Sequence, residues 1–319
     1  MPWQPVSLQW PGDRALLLVH GIGNTETGGG EAIGAAVRAA LGTDADKIAI
    51  YQLYYDGIND WFKEKTQAAA MVNPLVQLFR HGGSGEALSE TIAEYAGDVL
   101  WPVLSVAARS AVRQAYIQQL LQMVRDGATA GFTADQLRMT IITHSLGCFH
   151  TYETLHEICR NPLYTLQPAT HHVTFENVIV MASPVKLIRT VAGEMGGAVP
   201  DPASLATMLG DALSIPSQRS MAGTDVRVTP NWVSITGDLD PVGGHALRNK
   251  LDWAYAAIPG QVPIIDSQAA LNIGGENDLA GALRASLRDK KPPVITMNDP
   301  HSWTAYVDRH AADLRGWVA

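Results

Sequence analysis

Met139-Thr140-Ile141-Ile142-Thr143-His144-Ser145-Leu146-Gly147 places a serine between a strand and a helix. Residues 139–144 are rich in β-branched residues, as a buried strand favours. They open directly into a helical stretch over 146–158. A serine on such a sharp turn exposes its Oγ at the top of a sheet. The helix N-terminus and the N–H of the next residue, Leu146, then face any developing oxyanion. The stretch matches G-x-S-x-G except that Thr143 stands at the first glycine position. A tight elbow favours small side chains there, so Thr143 predicts crowding. The competing reading is structural, with Ser145 serving only as the helix N-cap.

Working outward, apolar runs alternate with helix-period stretches. Ala15–Val19 reads as a buried strand running into a glycine-rich turn, and Glu31–Leu41 as a small-residue helix. Lys47–Tyr54 is a second strand, Met139–His144 a third, Phe175–Ala182 a fourth and Trp232–Thr236 a fifth. Val294–Met297 is a candidate sixth. Strands separated by helices predict βαβ units and a mostly parallel central sheet covered by helices on both faces. One domain over residues 1–319 is expected, with cap-like insertions at about 57–110 and 186–228, where the spacing between strands exceeds what a crossover needs.

Only 17% of the 319 residues are charged, against about 25% in a typical soluble domain. With 46% hydrophobic residues, the chain can bury enough apolar surface to offset its ordering entropy, which excludes disorder. No uncharged apolar run approaches the roughly 20 residues of a membrane span. The net charge is −8 and no basic face is concentrated enough for phosphate backbones, so nucleic acid is excluded as a partner. Met1-Pro2-Trp3-Gln4-Pro5 lacks the basic and apolar regions of a secretory signal, and a cytoplasmic protein is expected. Cys148 and Cys159 share one predicted helix, about 16 Å apart at 1.5 Å per residue. They are expected to be free thiols. Neither a metal-binding nor a phosphate-binding motif is present, and no cofactor is expected.

Three further boxes carry chemistry. His20-Gly21-Ile22-Gly23 follows the first strand. Its glycines let the backbone turn so that the Ile22 or Gly23 amide completes an oxyanion hole with Leu146. A dinucleotide fingerprint is a poor rival, because Glu26 occupies the third glycine position where pyrophosphate would sit. An ordinary glycine turn is the other rival. Gly237-Asp238-Leu239-Asp240-Pro241-Val242 closes the fifth strand. An acid emerging there reaches an imidazole Nδ1–H, and Asp238 and Asp240 both qualify by position. A solvated Asp-Pro turn is the alternative. Asn298-Asp299-Pro300-His301-Ser302-Trp303 lies before the terminal helix, and His301 is the histidine in a loop after the last strand. A serine nucleophile needs such a base. His144, next to the serine, is turned to the opposite face by strand alternation. The order Ser145, Asp240, His301 is the Ser…Asp…His order of one hydrolase class.

At these residues the chain resembles the α/β-hydrolase superfamily, in its lipase and esterase branch. Leu18-Val19-His20-Gly21-Ile22-Gly23-Asn24 looks like bacterial hydrolases that carry a VHGIGN box. Tyr95–Leu100, Ala182-Ser183-Pro184, Trp232 through Val242 and His301-Ser302 are similar to the same group. The resemblance implies an α/β-hydrolase fold, with Ser145 as nucleophile, His301 as base and Asp240 as acid. The implied activity is cleavage of a small carboxylic ester through an acyl-enzyme. Thioester, lactone or amide cleavage, acyl transfer to another acceptor, and a non-catalytic ligand-binding member of the fold are the alternatives. The apolar stretches 68–79 and 99–107 wall a pocket for an apolar acyl chain or pack on each other as a helical subdomain.

Overall fold

The structure is a computed structural model and describes residues 3–21, 29–65, 105–133, 136–160, 174–184, 218–219, 225–226, 231–237, 264–267, 271–273, 295–297 and 302–319. The chain enters a strand at β1 (Arg14–Val19), turns through helix α1 (Gly29–Leu41) and a 3-10 segment, and returns in β2 (Ile48–Leu53). Helices α2 (Asp56–Lys65) and α3 (Val106–Thr129) precede β3 (Arg138–His144), α4 (Leu146–Arg160) and β4 (Thr174–Met181). The short strands β5 (Gln218–Arg219) and β6 (Asp225–Val226) come next, then β7 (Asn231–Gly237), β8 (Ile264–Ser267), β9 (Leu271–Ile273) and β10 (Ile295–Met297). Helices α5 (Trp303–Arg309) and α6 (Ala311–Val318) close the chain.

Among the described residues the main sheet has six strands in the order β2-β1-β3-β4-β7-β8, and every neighbouring pair is parallel. Such a sheet is buried on both sides, which is why its strands read as continuous apolar runs rather than alternating ones. The side chains of β1 divide between two cores. Leu17 and Val19 face one, with Tyr51, Leu53, Met139 and Ile141. Leu16 and Leu18 face the other, with Ile50, Ile142, Met181 and Ile235. Helix α3 covers the first core with Ala111, Val112, Ala115, Tyr116, Leu120 and Met123, all buried. Their three- and four-residue spacing lines one helix face, and the alanines let the backbone come close. The Ser105 hydroxyl caps this helix by accepting the Ala108 N–H at 3.2 Å. Helices α1, α5 and α6 cover the second core through Val37, Leu41, Trp303, Tyr306, Val307, Leu314 and Val318. Burying each large side chain contributes about 1.5–3 kcal/mol.

The C-terminal helices are tied to the sheet and to α1. Arg14 donates from its guanidinium to the Val318 carbonyl at 2.9 Å, and Arg315 to the Ala40 carbonyl at 3.0 Å. At the other end of this layer, Trp303 packs beside the C-terminal end of β3.

The expected strands over 15–19, 47–54, 139–144, 175–182 and 232–236 are present as β1, β2, β3, β4 and β7. The sixth strand is a correction. Residues 295–297 do form β10, but it pairs antiparallel with β9, outside the main sheet. The sixth parallel strand is β8, which pairs with β7 from Ser234↔Ile264 to Gly237↔Ser267. Its sequence, with Pro263 just before it and Asp266 within it, lacks a strand signature. An edge strand pairs on one side only and tolerates both. Most of the expected insertions, at about 57–110 and 186–228, lies outside the described residues, although α2 falls within the first. Among the described residues no helix is long and apolar enough to cross a membrane.

Candidate active site

Parallel pairing brings two loops to one point. β1 lies against β3 with Val19 opposite Thr143, so the residues that follow, His20-Gly21 and His144-Ser145, leave the sheet side by side. Ser145 sits between β3 and α4 with φ +54°. This is the left-handed region, which costs a non-glycine residue about 1–2 kcal/mol. The turn is held in place: the Ser145 N–H donates to the Met181 carbonyl at 3.0 Å, and the Ser145 carbonyl accepts the Cys148 N–H at 2.9 Å. Strain of this kind persists where the surroundings over-determine it, and it concentrates at functional sites.

Two glycines make the close approach possible. A Cβ on Gly147 would meet the Val19 and His20 carbonyl oxygens at 2.5 and 2.6 Å, so the first turn of α4 rests directly on the end of β1. A Cβ on Gly21 would meet the Ser145 Cβ at 2.5 Å, its Oγ at 2.9 Å and the Leu146 nitrogen at 3.4 Å. The bare backbone of Gly21 therefore lies against the serine hydroxyl and the first amide of the helix. A serine at positive φ, between the central strand of a 2-1-3-4-7-8 parallel sheet and a helix, with a glycine loop from the neighbouring strand against it, decides the architecture. This is the α/β-hydrolase fold.

No family model matches the chain, and no curated protein matches it. Among solved structures, the proline iminopeptidase of Mycobacterium smegmatis aligns over 97% of this chain and 93% of its own, at 13% identity and a TM-score of 0.29. A likeness of that size carries no inference about chemistry.

Thr143, the departure from the usual elbow, is accommodated by hydrogen bonding. Its side chain is buried, and its Oγ1 accepts from the Thr151 hydroxyl at 3.2 Å. Thr151 lies one turn into α4 and also bonds the Gly147 carbonyl at 2.8 Å. The expected crowding is thus absorbed beneath the helix rather than at the serine. Cys148, in the same layer, is a buried free thiol bonded to the Met181 carbonyl at 3.3 Å. Burial pushes its pKa up to about 12, so it stays protonated and unreactive at neutral pH.

His20 precedes the Gly21 that lies against the serine, and His144 precedes the serine itself. His144 is buried on the opposite face, edge-on to Trp303 at 5.6 Å and to Tyr306 at 5.8 Å. Strand alternation separates it from Ser145, as the sequence predicts. His20 is buried, with Nδ1 against the Gly21 carbonyl. Desolvation lowers its pKa to about 4, against a smaller raising effect from that carbonyl. Its Nδ1 is 4.0 Å from an Asp56 carboxylate oxygen. With a pKa near 4 the ring is neutral at pH 7, so the pair is not an ion pair there.

Beneath His20 lies an aromatic column. Tyr55 stacks on His20 with ring centroids 5.3 Å apart and planes 4° from parallel. The His150 ring meets Tyr55 at 4.9 Å with the planes 70° apart. Burial, with the positive charge of Arg109 adding to it, lowers the His150 pKa to about 3. The sequence reading did not select Tyr55, and it named Ala182 without its backbone conformation. Tyr55 follows a strand in an unremarkable Tyr-Tyr-Asp run, and nothing in Ala182-Ser183-Pro184 signals the φ of +52° that Ala182 adopts.

Of the residues selected from sequence, Ser145 and Leu146 are described, and they stand together against Gly21. Ile22, Gly23, Asp238, Asp240 and His301 lie outside the described residues. Their chain neighbours are described. Gly21 precedes Ile22; Gly237, the last residue of β7, precedes Asp238; and Ser302 follows His301.

Proposed function

We propose that this chain is a serine hydrolase that cleaves carboxylic esters through an acyl-enzyme on Ser145. The observation that carries the reading is the strained φ of Ser145 at a strand-to-helix turn, with the Gly21 backbone against its hydroxyl. A serine kept only to cap a helix has extended backbone angles and needs no such strain.

The remaining roles belong to the same proposal. His301 acts as base. It precedes by two residues Trp303, whose ring packs on His144, the neighbour of Ser145, and two residues span at most about 7 Å. Asp240 acts as the acid that orients His301. It follows the end of β7 by three residues, with Asp238 as the substitute. In the reaction, His301 takes the Ser145 proton as Oγ bonds to the ester carbonyl carbon. The Leu146 N–H and that of Ile22 or Gly23 hold the resulting oxyanion. Its collapse breaks the C–O bond to the alcohol, which leaves with the proton from His301. Water, deprotonated by the same imidazole, then releases the acid and restores Ser145. The substrate is a small-molecule ester, and an apolar acyl chain suits the apolar stretches over 68–79 and 99–107.

The test is fluorophosphonate labelling with peptide mass mapping, alongside kcat/KM for matched esters, thioesters, lactones and amides. A single adduct on Ser145 and highest turnover on esters are expected. Ser145→Ala should remove the label and lower turnover by roughly 10³-fold or more. Wild-type turnover in that variant would end the proposal, and a preference for amides would reassign the substrate.

A further inference from the structure

We infer that Tyr55 is a positioning residue for the oxyanion loop, acting through the His20 carbonyl. The inference rests on the serine-hydrolase reading and adds to it the group that sets the loop amides. The Tyr55 hydroxyl donates to the His20 carbonyl oxygen at 2.7 Å, and the side chain is fully buried. The same carbonyl oxygen is one of the two that the first turn of α4 approaches so closely that only glycine fits at 147. The His20 carbonyl is therefore held between a buried phenol and the elbow helix. Because a peptide unit is planar, fixing that carbonyl also fixes the direction of the Gly21 N–H and the plane from which the chain continues to Ile22.

Parallel stacking of the two rings supports the same peptide from its side chain. With His20 stacked at 5.3 Å, rotation of the His20 peptide moves its ring against Tyr55. Tyr55 is itself packed against His150, with ring centroids 4.9 Å apart and planes 70° from parallel. Burial raises the phenol pKa well above its ordinary value, so the hydroxyl stays protonated at neutral pH. In this scheme Tyr55 acts through the His20 carbonyl rather than on the substrate. It holds the His20–Gly21 peptide, from which the proposed oxyanion loop continues.

Removing an oxyanion donor outright lowers kcat by about 10²–10³, and misplacing a catalytic group by 1 Å costs about 10²-fold. Loosening the loop should therefore cost about 10–100-fold. The test compares wild type, Tyr55→Phe and Tyr51→Phe. Tyr51→Phe is the control, since Tyr51 is equally buried and its hydroxyl bonds Trp10 and Asp126 instead. Rates are corrected for the folded fraction measured by circular dichroism.

The expected result for Y55F is a fall in kcat of about 10–100-fold with KM changed less than threefold, and affinity for a boronic acid inhibitor weakened by the same factor. Y51F should stay within about twofold of wild type. The boronate adduct carries the tetrahedral oxyanion, so its loss separates positioning from general destabilisation. Wild-type kcat and boronate affinity in Y55F overturn the inference, as does an equal loss in Y51F. If wild type itself takes no fluorophosphonate on Ser145, the hydrolase reading falls, and this inference with it. If wild type is labelled and Y55F is unaffected, the inference alone falls.

Discussion

Replacing Gly21 by alanine tests the contact on which the site depends. Gly21 is not among the glycines at positive φ, so alanine meets no backbone penalty there and the effect is purely steric. The new Cβ would lie 2.5 Å from the Ser145 Cβ and 2.9 Å from its Oγ. Carbon atoms in ordinary contact are about 3.5–4.0 Å apart, so loop and elbow must separate by about 1.0–1.5 Å. Overpacking of this kind costs about 1–3 kcal/mol. For 319 residues, an unfolding entropy of about 2.1 cal/mol/K per residue turns that into a fall in Tm of about 1.5–4.5 °C. The catalytic effect is larger, because a 1 Å misplacement costs about 10²-fold and the new methyl also stands beside the attacking oxygen. The fluorophosphonate reaction rate and ester kcat/KM should both fall by about 10²-fold or more, while the far-ultraviolet circular dichroism stays unchanged. A Gly21→Ala protein that reacts at the wild-type rate and melts at the wild-type temperature would show that Gly21 does not face the serine.

Two other outcomes follow from the same geometry. Ser145→Gly relieves the left-handed strain that Ser145→Ala retains, so it should be more stable than the alanine variant by about 0.5–1 kcal/mol, although both are inactive. Equal urea midpoints for the two would remove the strain from the argument. His20 and His150 have folded pKa values of about 4 and about 3, below the ordinary 6.5. The unfolded chain therefore binds more protons between those values. Their contribution to stability is complete above about pH 6.5 and is lost as pH falls, with a slope of up to about 1.4 kcal/mol per pH unit for each. His150→Phe should flatten the decline in unfolding free energy between pH 6.5 and 4.5, and an unchanged slope would mean that His150 does not titrate in the unfolded chain alone.

Much of the fold could be read from local sequence. A strand buried on both faces favours an apolar run: β1 and β4 have one, and β3 is mostly β-branched. A serine immediately after such a run, with glycine two residues on, marks the elbow, because only a small residue lets the helix start so close to the sheet. The edge strand β8 was not legible, since pairing on one side demands little of its residues. A terminal Val-Ile-Thr-Met run mimics a core strand but pairs with β9 instead. Local pattern records which residues prefer extended backbone, not which neighbour they find.

The chemistry divides along the same line. The sequence alone determined that a serine stands between a strand and a helix, and that a His-Gly loop follows an earlier strand. Both are properties of contiguous residues, set by backbone preference and burial. Only the tertiary structure decided that these two points meet. The register of β1 on β3 puts Val19 opposite Thr143 and so Gly21 against Ser145. It likewise decided that Tyr55, after the outer strand, holds the His20 carbonyl, and that burial keeps His20 neutral. Hydrogen bonding across strands and desolvation depend on what is brought near, and residues 35 positions apart become neighbours only when the sheet forms.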